Sequence, residues 1–182
     1  MTEDLRELAQ LLTEWNSVGG KIAACIDRPA QPGHIAEFIA ARVFSIQLHT
    51  SASHAGSDGV FKEGRLSGRT VNIKWSSKQD NMMDLSSMHP PDYYLALKGP
   101  KEPPQSSRGR SRAWVISSVY LFDAPELHSA LRSRGAAIGI ASNILAAQWA
   151  AAEIYPRSRS RLLELTPEQR AALSLFAPRA GA

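Results

Sequence analysis

The segments SDGVF (residues 57–61) and VNIKW (residues 71–75) set polar side chains into two otherwise apolar strands. Side chains alternate between the faces of a strand, so Asn72 and Lys74 point to one face while Ile73 points to the core. A polar pair in a buried strand costs free energy unless it is paired or functional. If the two strands pair, Asp58 approaches the same face. The pattern predicts a carboxylate, an amide and an ammonium group near one point, where a divalent cation would supply the missing charge.

The rest of the chain mixes helical and strand patterns. Apolar spacing predicts helices at 3–16, ended by Gly19-Gly20, and from His34 to about Phe44. Capping boxes predict helices that begin after Asp123 and after Thr166, and Ser142 or Asn143 should cap another that runs to about Ile154. A short helix is expected near Met82, and strands are expected at 57–62, 65–67, 70–76, 93–97, 113–122 and 137–141. The expected class is α/β, with a central mixed sheet flanked by helices.

Composition excludes several classes of protein. The chain has 182 residues, 43% of them hydrophobic and 21% charged, as in ordinary globular domains. No run of about 18 uncharged apolar residues is present, so we expect no membrane segment. Thr2, Glu3 and Asp4 do not open a signal peptide. The single Cys25 excludes an intramolecular disulfide and a cysteine-based zinc site, and we expect a cytoplasmic protein.

Basic residues give a mild bias towards polyanions. Lysine and arginine total 21 against 17 acidic residues, for a net charge of +4. The candidates for phosphate contact are basic residues of two loops and of one strand end: Arg108, Arg110, Arg112, Arg157, Arg159, Arg161 and Lys78. The alternative interpretation is that they are solvated surface residues.

The order of these pieces resembles the PD-(D/E)XK nuclease superfamily, which has the restriction-endonuclease-like fold. That core runs helix, three strands, helix, strand. It carries an acid on the first helix, an Asp at the second strand and an acid-X-Lys on the third. Here Glu37, Asp58 and the segment Asn72-Ile73-Lys74 match those positions, with Asn72 where the family has an acid. The segments NIKW (72–75) and PDYYL (91–95) are similar to those of uncharacterised bacterial or phage members.

The resemblance implies how the chain is divided. It covers about residues 33–98, which would form the nuclease-like core. We expect this core to lie within a single domain spanning residues 1–182, after the helix at 3–16 and before a helical extension at about 143–178. Asp58-Gly59 also has an alternative interpretation, because this dipeptide is common in turns.

The resemblance also implies an activity, the hydrolysis of DNA by an endonuclease of restriction or defence type that needs Mg²⁺ or Mn²⁺. Asp58, the Ile73 carbonyl and Glu37 or Asn72 would hold the metal, and Lys74 would orient or deprotonate the attacking water or stabilise charge on the phosphate. Double-stranded DNA is the expected partner, and such enzymes often act as homodimers.

Asn72 leaves a second hypothesis open, because an amide in place of the acid removes one ligand charge. The chain would then be a nucleic-acid-binding or assembly module that keeps the fold without catalysis. A third hypothesis is an α/β protein whose sheet binds a small molecule, for which the sequence names no ligand.

Overall fold

The computed structural model describes residues 3–50, 56–101 and 113–178. Its helices and strands, in chain order, are α1 (Glu3–Ile26), α2 (Pro32–Val43), β1 (Ile46–Leu48), β2 (Gly59–Phe61), β3 (Thr70–Ser76), β4 (Met82–Met83), β5 (Tyr93–Lys98), β6 (Ser118–Asp123), α3 (Ala124–Ser133), β7 (Ser142–Asn143), α4 (Ala146–Ala152), β8 (Glu153–Tyr155) and α5 (Pro167–Ser174). A 3-10 turn lies at Gly64–Leu66.

The centre of the fold is a six-stranded mixed sheet with the strand order β1-β2-β3-β5-β6-β8. β3 and β5 run parallel, and every other neighbouring pair in this sheet is antiparallel. β4 and β7 form a separate two-stranded sheet. The predicted α/β class and the mixed sheet flanked by helices are therefore confirmed.

Two hydrophobic cores cover the two faces of the sheet. Ile73 packs in the first core with Ile39 of α2 and Leu173 of α5. The second core joins the other face to α3 and α4 through residues such as Tyr94 and Trp149. Since side chains alternate along a strand, the polar side chains of β3 point to the second face. Asn72 and Lys74 thus lie on the face opposite to Ile73, as their spacing predicts.

The first helix is longer than the sequence predicts. It does not end at Gly19-Gly20 but continues to Ile26, whose side chain is buried. A glycine inside a helix costs only about 1 kcal/mol relative to alanine, so two glycines weaken a helix without ending it. The helix stops instead at Asp27, whose φ of 52° is left-handed. Left-handed residues commonly end helices in this way.

Several predicted strands are wrong or shorter in the structure. Residues 65–67 lie mostly in the 3-10 turn, and residues 113–117 precede β6 without being a strand. Residues 137–141 are not a strand either, because Gly139 and Ala141 take positive φ angles of 157° and 54°. The expected short helix near Met82 is β4, which pairs with β7. Local pattern is weak evidence in such short segments, where pairing decides the conformation.

The region after Asn143 is not purely helical. Ser142 and Asn143 are used in β7, so α4 begins later, after Leu145. Its end leads directly into β8, which adds an edge strand to the main sheet beside β6. The predicted extension at 143–178 therefore contributes to the sheet itself.

Both predicted capping motifs begin helices, Thr166 as a reciprocal capping box and Asp123 as a side-chain N-cap. The Asp123 side chain accepts a hydrogen bond from the Glu126 amide at 2.9 Å. Thr166 Oγ1 accepts from the Gln169 amide at 3.2 Å, and Gln169 Oε1 accepts from the Thr166 amide at 3.0 Å. In the described parts of the chain, no helix is both long and apolar enough to cross a bilayer.

Replacing the first of these caps gives a modest stability prediction. Asp123→Ala leaves the Glu126 amide without its acceptor, and such losses cost about 1 kcal/mol. We expect that decrease in the free energy of unfolding, measured by urea denaturation, while Asp123→Asn should retain most of the cap. Equal losses in the two variants would contradict the capping role.

Candidate functional site

Asp58 immediately precedes β2, at the end where β2 and β3 stop pairing. Its backbone is fixed on both sides, because its amide donates to the Val71 carbonyl at 2.8 Å and its carbonyl accepts from His49 at 2.9 Å. Its carboxylate Oδ2 accepts a hydrogen bond from the Ile73 amide at 2.6 Å. The Asp58 side chain thus accepts the hydrogen bond that a backbone carbonyl preceding Asp58 would accept if β2 continued to pair with β3.

Gly59 follows Asp58 for a packing reason. It is the first residue of β2 and pairs with Val71, so Asp58-Gly59 is not simply a turn. A Cβ at residue 59 would lie 2.5 Å from the Gln47 carbonyl oxygen. Only glycine lets β1 approach this closely, and this approach helps to hold Asp58 in position.

β3 brings its polar side chains to the same place. Lys74 is one of the positive charges that lower the pKa of the Asp58 carboxyl, which shows that the two groups interact. Asn72 stands on the same face, and its Oδ1 is buried without a hydrogen-bond partner. A buried oxygen without a partner is costly unless a proton donor or a cation reaches it. The structure thus brings Asp58 and Lys74 together, and the approach of the Asn72 side chain to Asp58 stays a prediction.

Glu37 of α2 interacts with one member of this group, Asp58. Burial raises the pKa of Glu37, and the negative charge of Asp58 raises it further, whereas Arg28 and His34 lower it. The Arg28 guanidinium donates a short, charge-assisted hydrogen bond to Glu37 Oε2. Arg28 is a site residue that the sequence analysis did not identify. It follows the end of α1, and no motif or spacing connects it to Glu37.

Burial also raises the pKa of Asp58, although its hydrogen bond from the Ile73 amide and the nearby charges of Lys74, His49 and Arg28 lower it. Two desolvated carboxylates that repel each other form an environment that favours a bound cation.

The donor set fits a hard cation such as Mg²⁺. Mg²⁺ takes oxygen ligands, is usually held by one or two carboxylates, and keeps several waters. Asp58 and Glu37 offer the carboxylates, and the unpartnered Asn72 Oδ1 offers a neutral oxygen. Within residues 3–50, 56–101 and 113–178, no three His, Cys, Asp or Glu side chains form a metal-binding group.

A cavity of about 200 Å³ adjoins this group at the carboxyl ends of the two parallel strands. Lys74 of β3 and Lys98 of β5 line it together with Asp80 and Met83. Crevices at this end of parallel strands are common ligand sites in α/β proteins. Larger cavities of about 350 and 570 Å³ have different linings that include none of the predicted catalytic or metal-binding residues.

Of the predicted phosphate contacts, Lys78 lies beside this crevice, because it pairs with Asp80 of the lining, whereas the arginines lie in other segments or outside the described residues. Lys78 is exposed and pairs with Asp80 at 2.9 Å. Arg159 Nε lies 3.5 Å from Glu153 Oε2. Glu153 belongs to β8, the edge strand that β5 and β6 separate from β3. Arg157 and Arg161 are exposed in the same segment, and Arg108, Arg110 and Arg112 lie outside the described residues. The prediction that these groups contact DNA stays a prediction.

Comparison with known proteins adds no family assignment. No protein-family model matches the chain. No curated protein matches it significantly.

Proposed function

We propose that this protein is a metal-dependent endonuclease that hydrolyses phosphodiester bonds in double-stranded DNA. The observation that carries the proposal is the Asp58 carboxylate, which is hydrogen-bonded to the Ile73 amide between Asn72 and Lys74. A buried carboxylate, a nearby lysine and a second carboxylate from a helix form the arrangement that the PD-(D/E)XK resemblance implies.

The order of the elements supports a restriction-endonuclease-like core. Helix α2 is followed by the antiparallel strands β1, β2 and β3 and then by β5, which is parallel to β3. One departure is clear. The segment at 77–92 contains β4 where the family has a helix. The resemblance therefore rests on the strands and on the residues at their ends.

Each residue has a chemical role in the proposal. Asp58 and Glu37 would hold the cation, with Asn72 Oδ1 and the Ile73 carbonyl as neutral oxygen ligands. When bound, Mg²⁺ supplies Lewis-acid polarisation of the phosphate and lowers the pKa of water. Lys74 would orient or deprotonate the attacking water, or donate to the phosphate oxygens as negative charge develops there. Arg28 keeps Glu37 in place.

Cleavage of supercoiled plasmid tests the proposal. We expect nicking with Mg²⁺ or Mn²⁺, none with EDTA, and a loss of about a hundredfold or more in Lys74→Ala, because that variant lacks the ammonium at the reacting group. Lys62→Ala is the matched control, since Lys62 is an exposed lysine just after β2. Nicking that survives in EDTA or in Lys74→Ala would overturn the assignment.

Asn72 favours one second candidate, a nucleic-acid-binding or assembly module of the same fold without catalysis. Its amide carries no ligand charge, and its Oδ1 has no partner in the protein. In that case the wild type binds DNA in a salt-sensitive way without cutting it. Asn72→Asp should then create Mn²⁺ binding, measured by calorimetry, that the wild type lacks. Mn²⁺ binding by the wild type would favour the enzyme.

A further inference from the structure

Helix α1 carries a stripe of apolar side chains that the described residues of its own chain leave uncovered. Six large residues are between 46% and 72% exposed: Leu5, Leu8, Leu11, Leu12, Trp15 and Val18. Monomeric proteins seldom expose a contiguous apolar surface of this size. The stripe continues along the helix to Ile26, the buried residue at its end.

The stripe follows a heptad pattern. Apolar residues or glycine occupy positions 5, 8, 12, 15, 19, 22 and 26, which alternate in steps of three and four. This is the a/d spacing of a helix that packs along its length against another helix. Leu11 and Val18 widen the stripe on one side. A helix that merely covered its own domain would bury this seam, and α1 buries only Ile26.

The glycine pair in the middle of α1 has no explanation within the part of the chain that the structure describes. A Cβ added at Gly19 or Gly20 would meet nothing within 4 Å there, so none of the described residues requires glycine at these positions. Each glycine nevertheless costs about 1 kcal/mol of helix stability. A second helix that packs closely against Gly19 would account for the absence of a side chain.

We propose that α1 pairs in antiparallel orientation with α1 of a second copy of this chain. In an antiparallel pair, each a position meets a d position of the partner. Leu5 then lies opposite Ile22 of the partner subunit, and Leu8 lies opposite Gly19 of the partner subunit. Leu12 and Trp15 meet across the centre. Each pair of facing residues is therefore apolar or contains glycine, and Gly19, the smallest of these residues, faces a leucine.

Charge supports this orientation. The first turns of α1 carry Glu3, Asp4, Arg6 and Glu7, which are mainly acidic, and Lys21 lies near the other end. A parallel pair would bring the acidic ends of both copies together. The antiparallel pair instead sets the acidic first turns of each copy beside the end of the partner helix that carries Lys21, and it sets the two helix dipoles in opposite directions.

The surface is large enough for a dimer. Burying an aliphatic side chain removes roughly 60–120 Å² from water, so the six residues amount to on the order of 500 Å² per copy. Two copies then bury about 1,000 Å², the lower bound for a specific interface. A lipid surface is the less favourable occupant, because the polar face of α1 has four acidic and two basic residues. Anionic membranes attract basic helices.

Analytical ultracentrifugation of the full chain over a range of concentrations tests the pairing. We expect a dimer, and in Leu12→Lys a dissociation constant raised by about a hundredfold, because both copies lose a central apolar contact and gain a charge. Gln10→Lys is the matched control on the exposed polar face and should leave the dimer intact. A monomer at every concentration, a dimer that survives Leu12→Lys, or wild-type binding to phosphatidylglycerol vesicles would each overturn the proposal.

Cysteine cross-linking tests the orientation. In a Cys25→Ser background, Leu8→Cys protein mixed with Gly19→Cys protein should give the mixed disulfide as the main product under mild oxidation. Each protein alone should remain uncross-linked. Efficient cross-linking of either protein with itself would indicate a parallel pair and overturn the antiparallel arrangement. Because this dimer does not depend on nuclease activity, its failure would leave the proposed function untouched.

Discussion

Asp58→Asn should lower metal-dependent plasmid cleavage by about a thousandfold or more while leaving the fold intact. The asparagine Oδ1 can still accept the hydrogen bond from the Ile73 amide, which Asp58 Oδ2 accepts at 2.6 Å. What it cannot provide is the negative charge that holds a cation. The variant therefore separates the charge of Asp58 from its role as a backbone acceptor.

The same substitution should leave the free energy of unfolding equal to that of the wild type or higher at pH 7. Burial raises the pKa of Asp58 above its ordinary value of 3.8, so the ionised carboxylate is costly in the folded protein. The folded state therefore holds this proton more tightly than the unfolded state. The wild type should lose stability relative to Asp58→Asn as pH rises from about 3.8 through the higher folded pKa. Urea denaturation at several pH values measures both effects.

Two outcomes would contradict this account of Asp58. A large loss of stability in Asp58→Asn would mean that the carboxylate is structural. Unchanged cleavage would mean that it does not hold the metal. Asp92→Asn is a useful comparison, because the Asp92 carboxylate also accepts hydrogen bonds at the end of a strand. Its donors are the amide and the hydroxyl group of Thr70. Its pKa is lowered in the folded state by these hydrogen bonds and by Arg69, so Asp92→Asn should be destabilising.

Substitutions of Lys98 should have the second large effect, which is on the free energy of unfolding. Lys98 is 3% exposed, its Nζ lies 3.7 Å from the centre of the Trp149 ring, and it donates to the Asp80 carbonyl. Lys98→Met keeps the aliphatic stem and places a sulfur near the ring. We expect Lys98→Met to be at least as stable as the wild type at pH 7. Lys98→Ala leaves a cavity and should unfold with about 3 kcal/mol less free energy than Lys98→Met.

The pH dependence of Lys98 supplies an independent check. Burial lowers its pKa from 10.5 to about 8, against the opposing effect of Asp80. Between these values the unfolded chain binds more protons than the folded chain, so the wild type gains stability as pH rises from about 8 to 10.5. Lys98→Met lacks this gain. A constant difference between the two proteins across this range would show that Lys98 is not desolvated.

The sequence predicts the middle of the fold better than its edges. The alternation of β3, the apolar run of β5 and the two capping motifs are local signals, and the structure contains all of these elements. β1 and β8 have three residues each and exist because a neighbour offers hydrogen bonds. Such strands have no periodic pattern of their own, so their partners rather than their sequence decide their conformation.

In the candidate site, too, local signals predict some residues and tertiary packing decides the others. The approach of Lys74 to Asp58 could be predicted because strand alternation and one hairpin relation suffice to bring them together. The contribution of Glu37 depends on how α2 packs on the sheet, and only the family resemblance indicated it. Arg28 depends in addition on where α1 ends, which the sequence analysis placed too early. The wrong prediction of where α1 ends and the failure to identify Arg28 therefore have the same cause.

The pairing of β3 with β5 also has a consequence for how fast the protein folds. This is the only parallel pair in the main sheet described here, and its strands are joined by the irregular segment at 77–92. Parallel strands cannot be closed by a short hairpin, so the chain must order this segment before the pair gains its hydrogen bonds. We expect β3 and β5 to pair late, after the β2–β3 hairpin. Lys74 would then be in place before the crevice beside it has formed.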